Sequence, residues 1–288
     1  MAGNIQEKIE LYYSSLSKGQ KKIADYISEN YEKASFMTAA DLGNATGVSE
    51  STVVRFAVRI GFDGYPEFQK NLRDTVKSRL TSVQRMDAAS NISDDDILRS
   101  ALLQDAETIR RTMETVSLDA FAGSVQAINE AKKIYILGVR SSSSLAAFAA
   151  FYMGYIYDVV LVNTSASSEM FEQMYHITKD DLCIAISFPR YSNRTINALK
   201  FALSRGAKII SITDAELSPI AKYATHLLLA PSNMVSFVDS LVAPLSLINA
   251  LIAAASREKK DEVHSRFEDL EHLWQEYRVY STSGEEQQ

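Results

Sequence analysis

The spacing of apolar residues divides the chain into a helical first part and a mixed second part. Residues 5–80 repeat apolar positions at helical intervals and contain no convincing strand pattern. From about residue 108, short apolar runs alternate with longer stretches of helical periodicity. The predicted strands are Ile134–Leu137, Val159–Val162, Leu182–Ile186, Lys208–Ile212 and Leu227–Leu229, and the helical stretches between them span 142–157, 166–177, 193–204 and 219–223.

Strands that alternate with helices indicate βαβ units, in which helices cover both faces of a parallel sheet. We therefore predict an all-α domain at residues 1–80, a linker at 81–107, and an α/β domain with a five-stranded, doubly wound parallel sheet at 108–280. A long apolar helix is expected at 236–255, with a kink at Pro244. Because it is apolar nearly all round, this helix suits either the domain core or a subunit interface.

Two short predicted helices joined by a glycine lie within residues 38–62, which read TAADLGNATGVSESTVVRFAVRIGF. Thr38 is a candidate N-cap of the first helix, with Asp41 at the capping-box position. Gly47 supplies the turn, and Ser49 is the expected N-cap of the second helix. This order of signals predicts a helix-turn-helix.

The second helix of this motif has one apolar face and one polar face. Apolar residues at positions i, i+3, i+4 and i+7 predict a buried stripe of Val53, Phe56, Ala57 and Ile60. The opposite face carries short hydroxyls and arginines, which suit the base edges and phosphates of DNA. The candidate DNA-binding residues are Ser49, Ser51, Thr52, Arg55 and Arg59. A helical hairpin that serves only for packing has the same pattern, and this alternative stays open.

Charge is distributed unevenly along the chain. The net charge is −6, yet residues 1–80 hold 11 Lys/Arg against 10 Asp/Glu, and the remainder holds 19 against 26. This asymmetry permits DNA contact at the N-terminal end and discourages it elsewhere. The single cysteine, Cys183, excludes an internal disulfide and fits a reducing compartment. We therefore expect a cytoplasmic protein without a signal peptide or membrane span.

Hydroxyl-rich loops follow the first and third predicted strands. They span Leu137–Ser144 and Ile186–Thr195, and each leads into a predicted helix. Ligands of open α/β sheets bind beyond the carboxyl ends of the strands. Because a helix N-terminus and serine hydroxyls both suit a phosphate, the two loops predict an anion site. Capping of the helices by serine, without any ligand, is the alternative.

Two longer motifs resemble a known family. TAADLGNATGVSESTVVRFAVRIGFDGYPEF is similar to the helix-turn-helix of the MurR/RpiR family of bacterial regulators. The serine loops together with ITDAELSPIAKYATHLLL are similar to the sugar isomerase (SIS) domain that completes those proteins. The resemblance covers roughly residues 5–255. It implies a flavodoxin-like SIS fold, operator DNA as the partner of the first domain, a phosphorylated sugar as the effector of the second, and a homodimer or homotetramer.

By position, the resemblance implies ligand-binding roles for the hydroxyls of both loops. This chain departs from the family pattern, since Arg140 and Asn193 stand where glycine is usual and Pro189-Arg190 lengthens the second loop. The candidate ligand-binding residues are Arg140, Ser141, Ser142, Ser143, Ser187, Arg190, Ser192, Asn193 and Thr195.

The departures add positive charge to the expected site, through Arg140, Arg190 and Arg194. Arginine suits bidentate binding of carboxylate or phosphate, so one hypothesis is a ligand with extra negative charge, such as a phosphorylated sugar acid. The other is that Arg140 pairs with a local acid, Glu169 or Asp239, and replaces the glycine only structurally.

Because the SIS fold also serves isomerases, a sugar-phosphate isomerase is the alternative function. Isomerisation through an enediol needs a general base, for which Glu169 and His176 are the candidates. Cys183 lies in mid-strand and is expected in the core. The sequence has no metal-ligand spacing and no glycine-rich nucleotide motif, so we assign no catalytic residue, metal or cofactor. The helix-turn-helix favours a regulator over an enzyme, and an adaptor that binds protein is a third alternative.

Overall fold

A computed structural model describes residues 5–79, 86, 97–162, 167–232 and 238–280. The chain forms two units, which are built mainly from the residues up to Asp96 and from those after Ile97. In the first unit, the described residues form helices only, as the periodicity predicts. These helices are α1 (Ile5–Tyr13), α2 (Lys18–Glu29), α3 (Tyr31–Phe36), α4 (Ala39–Thr46), α5 (Glu50–Arg59) and α6 (Tyr65–Arg79).

The core of the first unit is an apolar cluster to which these helices contribute one face each. Its fully buried members include Ile23, Ile27, Leu42, Phe56 and Phe68. The rings of Phe56 and Phe68 meet edge to face with their centroids 5.8 Å apart, an arrangement that aromatic pairs prefer. This contact fixes α5 against α6.

The second unit contains a parallel sheet between helices. Its helices are α7 (Ile97–Thr115), α8 (Leu118–Glu130), α9 (Ser142–Met153), α10 (Ser167–Gln173), α11 (Asn193–Ser204), α12 (Val242–Glu258) and α13 (Lys260–Glu276), with a 3₁₀ turn at Ala221–Tyr223. Its strands are β1 (Ile134–Gly138), β2 (Val159–Leu161), β3 (Leu182–Ile186), β4 (Lys208–Thr213) and β5 (His226–Leu229). Each predicted strand is therefore present, with ends that differ by no more than one residue.

The five strands are all parallel and lie in the order β2-β1-β3-β4-β5. This order confirms the predicted doubly wound, flavodoxin-like sheet. Alternate residues of β1 face different cores: Ile134 and Ile136 belong to one apolar cluster, Tyr135 and Leu137 to another. The sheet is thus buried on both faces, as its continuous apolar strands predict.

The prediction of an apolar helix at 236–255 is wrong about where the helix starts and about a kink at Pro244. Residues 238–241 are not helical, and α12 begins at Val242. Pro244 is therefore in the first helical turn, where backbone N–H groups have no partner within the helix and proline is tolerated. The inner face of α12 lies in the domain core, with Leu247, Ile248 and Leu251 buried.

Two other boundaries differ from the sequence expectations. The helix α7 runs from Ile97 across residue 107, where the predicted linker ends, and most of that linker falls outside the described residues. The helix expected at 166–177 is shorter, since α10 ends at Gln173. In the described part of the chain, no helix is both long and apolar enough to cross a membrane.

Candidate functional site

The helix-turn-helix is built by the local signals that the sequence carries. Thr38 and Asp41 form the expected capping box: the Asp41 amide donates to the Thr38 hydroxyl (3.1 Å), and the Thr38 amide donates to the Asp41 carboxylate (3.1 Å). The Thr38 hydroxyl also donates to this carboxylate (2.6 Å), and these bonds hold the pKa of Asp41 below its usual value. Gly47 ends α4 with a φ of 66°, in the left-handed region that favours glycine.

The helix α5 presents the two faces that its sequence predicts. Val53, Phe56, Ala57 and Ile60 are fully buried. Ser51, Arg55 and Arg59 are exposed and Thr52 is half-buried. The Nε of Arg55 donates to the carbonyl oxygen of Ser51 (3.2 Å), which draws the guanidinium along the N-terminal part of the helix.

Ser49 differs from its expected role, since its side chain makes no capping hydrogen bond to α5. Its hydroxyl instead lies 3.0 Å from the hydroxyl of Ser51 and 2.9 Å from that of Thr52. Three hydroxyls are thereby gathered at the first turn of α5. Such a cluster offers donors and acceptors to phosphates or base edges.

The two serine loops leave the sheet side by side. β1 and β3 are neighbouring strands, with Gly138 opposite Ile186, and β2 lies on the other side of β1. The strand order therefore reverses between β1 and β3. In open α/β sheets, ligands bind beyond the strand ends at this reversal.

Glycine at position 138 is required by the close approach of α9 to the end of β1. A Cβ atom there would lie 2.3 Å from the carbonyl oxygen of Ser142, closer than real Cβ atoms come to backbone. Gly138 is not among the site residues predicted from the sequence. A lone glycine at a strand end is its only signal in the sequence, and this signal is not specific.

Hydroxyls of both loops are buried. Ser142, Ser187 and Thr195 are each at most 4% exposed. The Thr195 hydroxyl has no hydrogen-bond partner among the described residues. Buried polar groups nearly always have a partner, so this hydroxyl is unusual.

Two other loop hydroxyls close a turn or cap a helix. Ser143 donates to the carbonyl oxygen of Arg140 (2.6 Å). Ser192 accepts from the Arg194 amide (3.2 Å) at the start of α11. Ser141 precedes α9 without a side-chain capping bond, and Asn193 is the exposed first residue of α11.

Both loops hold an arginine in a backbone conformation that favours glycine. Arg140 has a φ of 59° and Arg190 a φ of 67°. A left-handed conformation costs a non-glycine residue about 1–2 kcal/mol. Position 140 is the one where the resemblance implies glycine, and its backbone adopts a conformation that favours glycine. Among the ion pairs of the described residues, none joins Arg140 to Glu169.

The groups considered for enzymatic chemistry lie in different environments. Glu169 and His176 are both exposed. Cys183 is fully buried, and burial raises the pKa of its thiol to about 12, which keeps it protonated. Across the described ranges, no group of three His, Cys, Asp or Glu residues is placed to hold a metal ion.

Two family profiles match the chain, one in each unit. The helix-turn-helix domain of the rpiR family matches residues 3–79. The SIS domain matches residues 127–254. Together these matches confirm the pairing of domains that the sequence motifs predict.

Proteins similar to this chain are named as HTH-type transcriptional regulators. An uncharacterized HTH-type transcriptional regulator of Haemophilus influenzae is 28% identical over 234 residues, which cover 79% of this chain and 80% of that protein. The HTH-type transcriptional regulator HexR of Escherichia coli is 28% identical over 233 residues, 77% of this chain and 76% of that protein. The names of these relatives agree with the predicted class of regulator rather than enzyme.

A solved structure with the same fold is that of the Vibrio vulnificus NanR protein complexed with ManNAc-6P. It is 21% identical in sequence, covers 97% of this chain and 100% of its own, and has a TM-score of 0.59.

Proposed function

Because this chain belongs to the RpiR family of transcriptional regulators, with a helix-turn-helix domain followed by a SIS domain, we propose that a phosphorylated sugar or sugar acid controls its affinity for operator DNA. The operator contacts are assigned to Ser49, Ser51, Thr52, Arg55 and Arg59. The effector is assigned to the loops after β1 and β3. The protein acts as a homodimer or homotetramer in the bacterial cytoplasm, where its DNA lies.

The unpartnered hydroxyl of Thr195 is the observation that carries the effector part of the proposal. It is fully buried in the first turn of α11, at the reversal of strand order, beside a loop with further buried hydroxyls. A phosphate or sugar oxygen would supply the missing partner. The solved NanR structure, which holds ManNAc-6P, supports this ligand class by analogy of fold.

The effector site comprises Arg140, Ser141, Ser142, Ser143, Ser187, Arg190, Ser192, Asn193 and Thr195. The division of the chain follows the same proposal: a DNA-binding domain to residue 80, a linker predicted at 81–107 and a sensor domain to 280, with α7 bringing residues 97–107 into the unit of the sensor domain. A mobility-shift assay on the DNA upstream of the protein's own gene, repeated with a panel of sugar phosphates and phospho-sugar acids, tests the whole scheme. Turnover of a sugar phosphate without operator binding would establish the isomerase alternative instead.

Replacing Arg55 with alanine is expected to weaken operator binding by about 1–3 kcal/mol, as the loss of one base-reading arginine does. Binding to unrelated DNA should change far less, so the ratio of the two affinities should fall. Titration of labelled operator and scrambled duplexes at one salt concentration measures both. Arg257→Ala removes an exposed arginine from α12 and is the matched control. Equal losses on both duplexes would assign Arg55 to the DNA backbone.

Replacing Thr195 with valine is expected to separate ligand binding from stability. Valine keeps the shape and removes a buried hydroxyl that has no partner, so thermal stability should stay level or rise. Effector affinity should fall roughly tenfold or more, because a hydrogen bond to a charged group contributes about 1.5–3 kcal/mol. Calorimetry with the effector found in the panel measures the affinity.

The control for Thr195 is Thr112→Val, which removes a buried hydroxyl that donates to the Thr108 carbonyl oxygen at 2.8 Å. This variant should lose some stability and no effector affinity. If Thr195→Val instead lowers stability and leaves the effector affinity unchanged, Thr195 has no part in the site.

Replacing Arg140 with glycine tests the extra positive charge without disturbing the turn. Glycine adopts the observed φ of 59° freely, so the free energy of unfolding should rise by about 1 kcal/mol. Affinity for a phospho-sugar acid should fall, while affinity for a sugar phosphate with no carboxylate should change little. Calorimetry with the two ligand classes decides, and Arg140→Lys, which keeps the charge, is the control. Unchanged affinity for both classes would leave Arg140 as a structural substitute for glycine.

A further inference from the structure

The helix α7 (Ile97–Thr115) buries threonines and exposes leucines. Thr108 and Thr112 are 1% and 7% exposed, whereas Leu98, Leu102 and Met113 are 70%, 61% and 75% exposed. The buried hydroxyls are satisfied within the helix, since Thr108 donates to the Asp105 carbonyl oxygen and Thr112 to that of Thr108, both at 2.8 Å. Large exposed apolar patches of this kind mark surfaces that another molecule covers.

Five apolar residues on one side of α7 form a stripe, which we call the α7 stripe. Four of them are exposed and Ile109 is half-buried, and the exposed Ile97 and Leu103 lie outside it. Its members are Leu98, Leu102, Ala106, Ile109 and Met113. Their spacing of four, four, three and four residues places them on one side of an α-helix. At 1.5 Å per residue, the stripe is about 22 Å long. It adjoins the buried threonine face and runs along most of the helix.

We propose that the α7 stripe binds the same stripe of a second copy of this chain, with the two helices antiparallel. In a two-fold dimer, each residue of the surface must suit its symmetry partner. About a centre between Asp105 and Ala106, Leu98 falls opposite Met113 and Leu102 opposite Ile109. These two pairs join apolar with apolar residues when the stripe meets itself in reverse, and at the centre Ala106 falls opposite Asp105.

Charge complementarity supports the same arrangement. Arg99 and Glu114 lie near opposite ends of the stripe, on the same flank. Glu114 pairs with Arg110 of its own helix. In the antiparallel pair, Arg99 of the other copy comes beside this ion pair at each end, two residues from exact register. Opposite charges that meet beside the apolar contact of two paired helices select both the partner and the direction of the pair.

From its sequence, α12 was a candidate for a subunit interface as well as for the domain core. In the structure, the apolar inner face of α12 lies in the domain core. This inference rests on the proposed function, because one helix-turn-helix contacts few base pairs and specific binding needs a dimer on a two-fold site.

Leu102→Glu in the full-length protein tests the stripe by sedimentation equilibrium. The glutamate of each copy would be buried beside Ile109 of the other, so the dimer dissociation constant should rise about a hundredfold or more. Leu203→Glu, on α11, changes a leucine that is 52% exposed and is the matched control. Circular dichroism of both variants verifies folding. A folded Leu102→Glu protein that dimerises like the wild type, or a wild type that is monomeric, would overturn the proposal.

A charge exchange tests the antiparallel direction and does not depend on a buried charge. Arg99→Glu and Glu114→Arg should each weaken the dimer, and the double variant should restore it, since the inverted pairs again attract. No recovery in the double variant would exclude this arrangement. Operator binding by the wild-type protein is measured in parallel, so that the two proposals can fail separately. If the variants dimerise like the wild type and the wild type binds operator, the α7 stripe alone is refuted. If the wild type dimerises through the stripe but binds neither operator nor effector, the proposed function alone is refuted.

Discussion

Replacing Phe56 with alanine is expected to destabilise the helix-turn-helix unit by about 3–5 kcal/mol and to abolish operator binding. The ring is fully buried in the apolar cluster of this unit and meets Phe68 edge to face at 5.8 Å. Its removal leaves a cavity between α5 and α6, which orient the candidate DNA-binding face. A loss of this size is comparable with the whole stability of a small domain.

Chemical denaturation followed by circular dichroism, together with an operator mobility shift, measures both effects of Phe56→Ala. Val58→Ala is the control, because Val58 lies on the same helix and is 54% exposed. Its stability change should stay within about 0.5 kcal/mol, as for other surface substitutions. Normal operator affinity in a Phe56→Ala protein that has lost less than about 1 kcal/mol would show that this core does not position the reading face.

Replacing Gly138 with alanine is expected to have the largest effect on the sensor domain. The new Cβ would lie 2.3 Å from the carbonyl oxygen and 2.7 Å from the carbonyl carbon of Ser142, both backbone atoms. Since neither atom can rotate away, the start of α9 must shift from the end of β1. We expect a loss of about 3 kcal/mol, at the upper end of the range for overpacking, and loss of effector binding.

Gly64→Ala is the matched control for Gly138→Ala. A Cβ at position 64 would meet the Cδ of Pro66 at 3.6 Å, which is ordinary van der Waals contact. Thermal unfolding and effector calorimetry of the two variants give the comparison. Wild-type stability and effector affinity in Gly138→Ala would mean that α9 moves without cost, and that the loop after β1 is not a rigid part of the site.

Much of the candidate DNA-binding face could be predicted from the sequence, because the features that form this face depend on residues that are neighbours in the chain. The capping box of Thr38 and Asp41 and the turn at Gly47 were found where the sequence places them. Ser49 was the exception within the motif: its hydroxyl could cap α5 or bond to nearby hydroxyls, and it does the second. Competing hydrogen bonds of similar strength cannot be ranked from residue types alone.

Helix starts that depend on distant contacts were predicted less well. The residues before α12 were expected to be helical, yet Ser240 donates to the carboxylate of Asp105 and its carbonyl oxygen accepts from Ser232. The bond to Asp105 joins residues far apart in sequence, and the two bonds together hold the chain out of a helix before Val242. A proline expected to kink the helix therefore became part of its first turn.

The sequence by itself determined the order of helices and strands, the apolar stripe of α5 and the hydroxyl-rich character of the two loops, because periodicity and local chemistry act over a few residues. Only the tertiary structure decided that β1 and β3 are neighbours, that Thr195 is buried without a partner, and that α7 turns its leucines outward. Each of these depends on which surfaces pack together. That choice is made by the free energy of burying the whole set of apolar faces at once, which no single segment encodes.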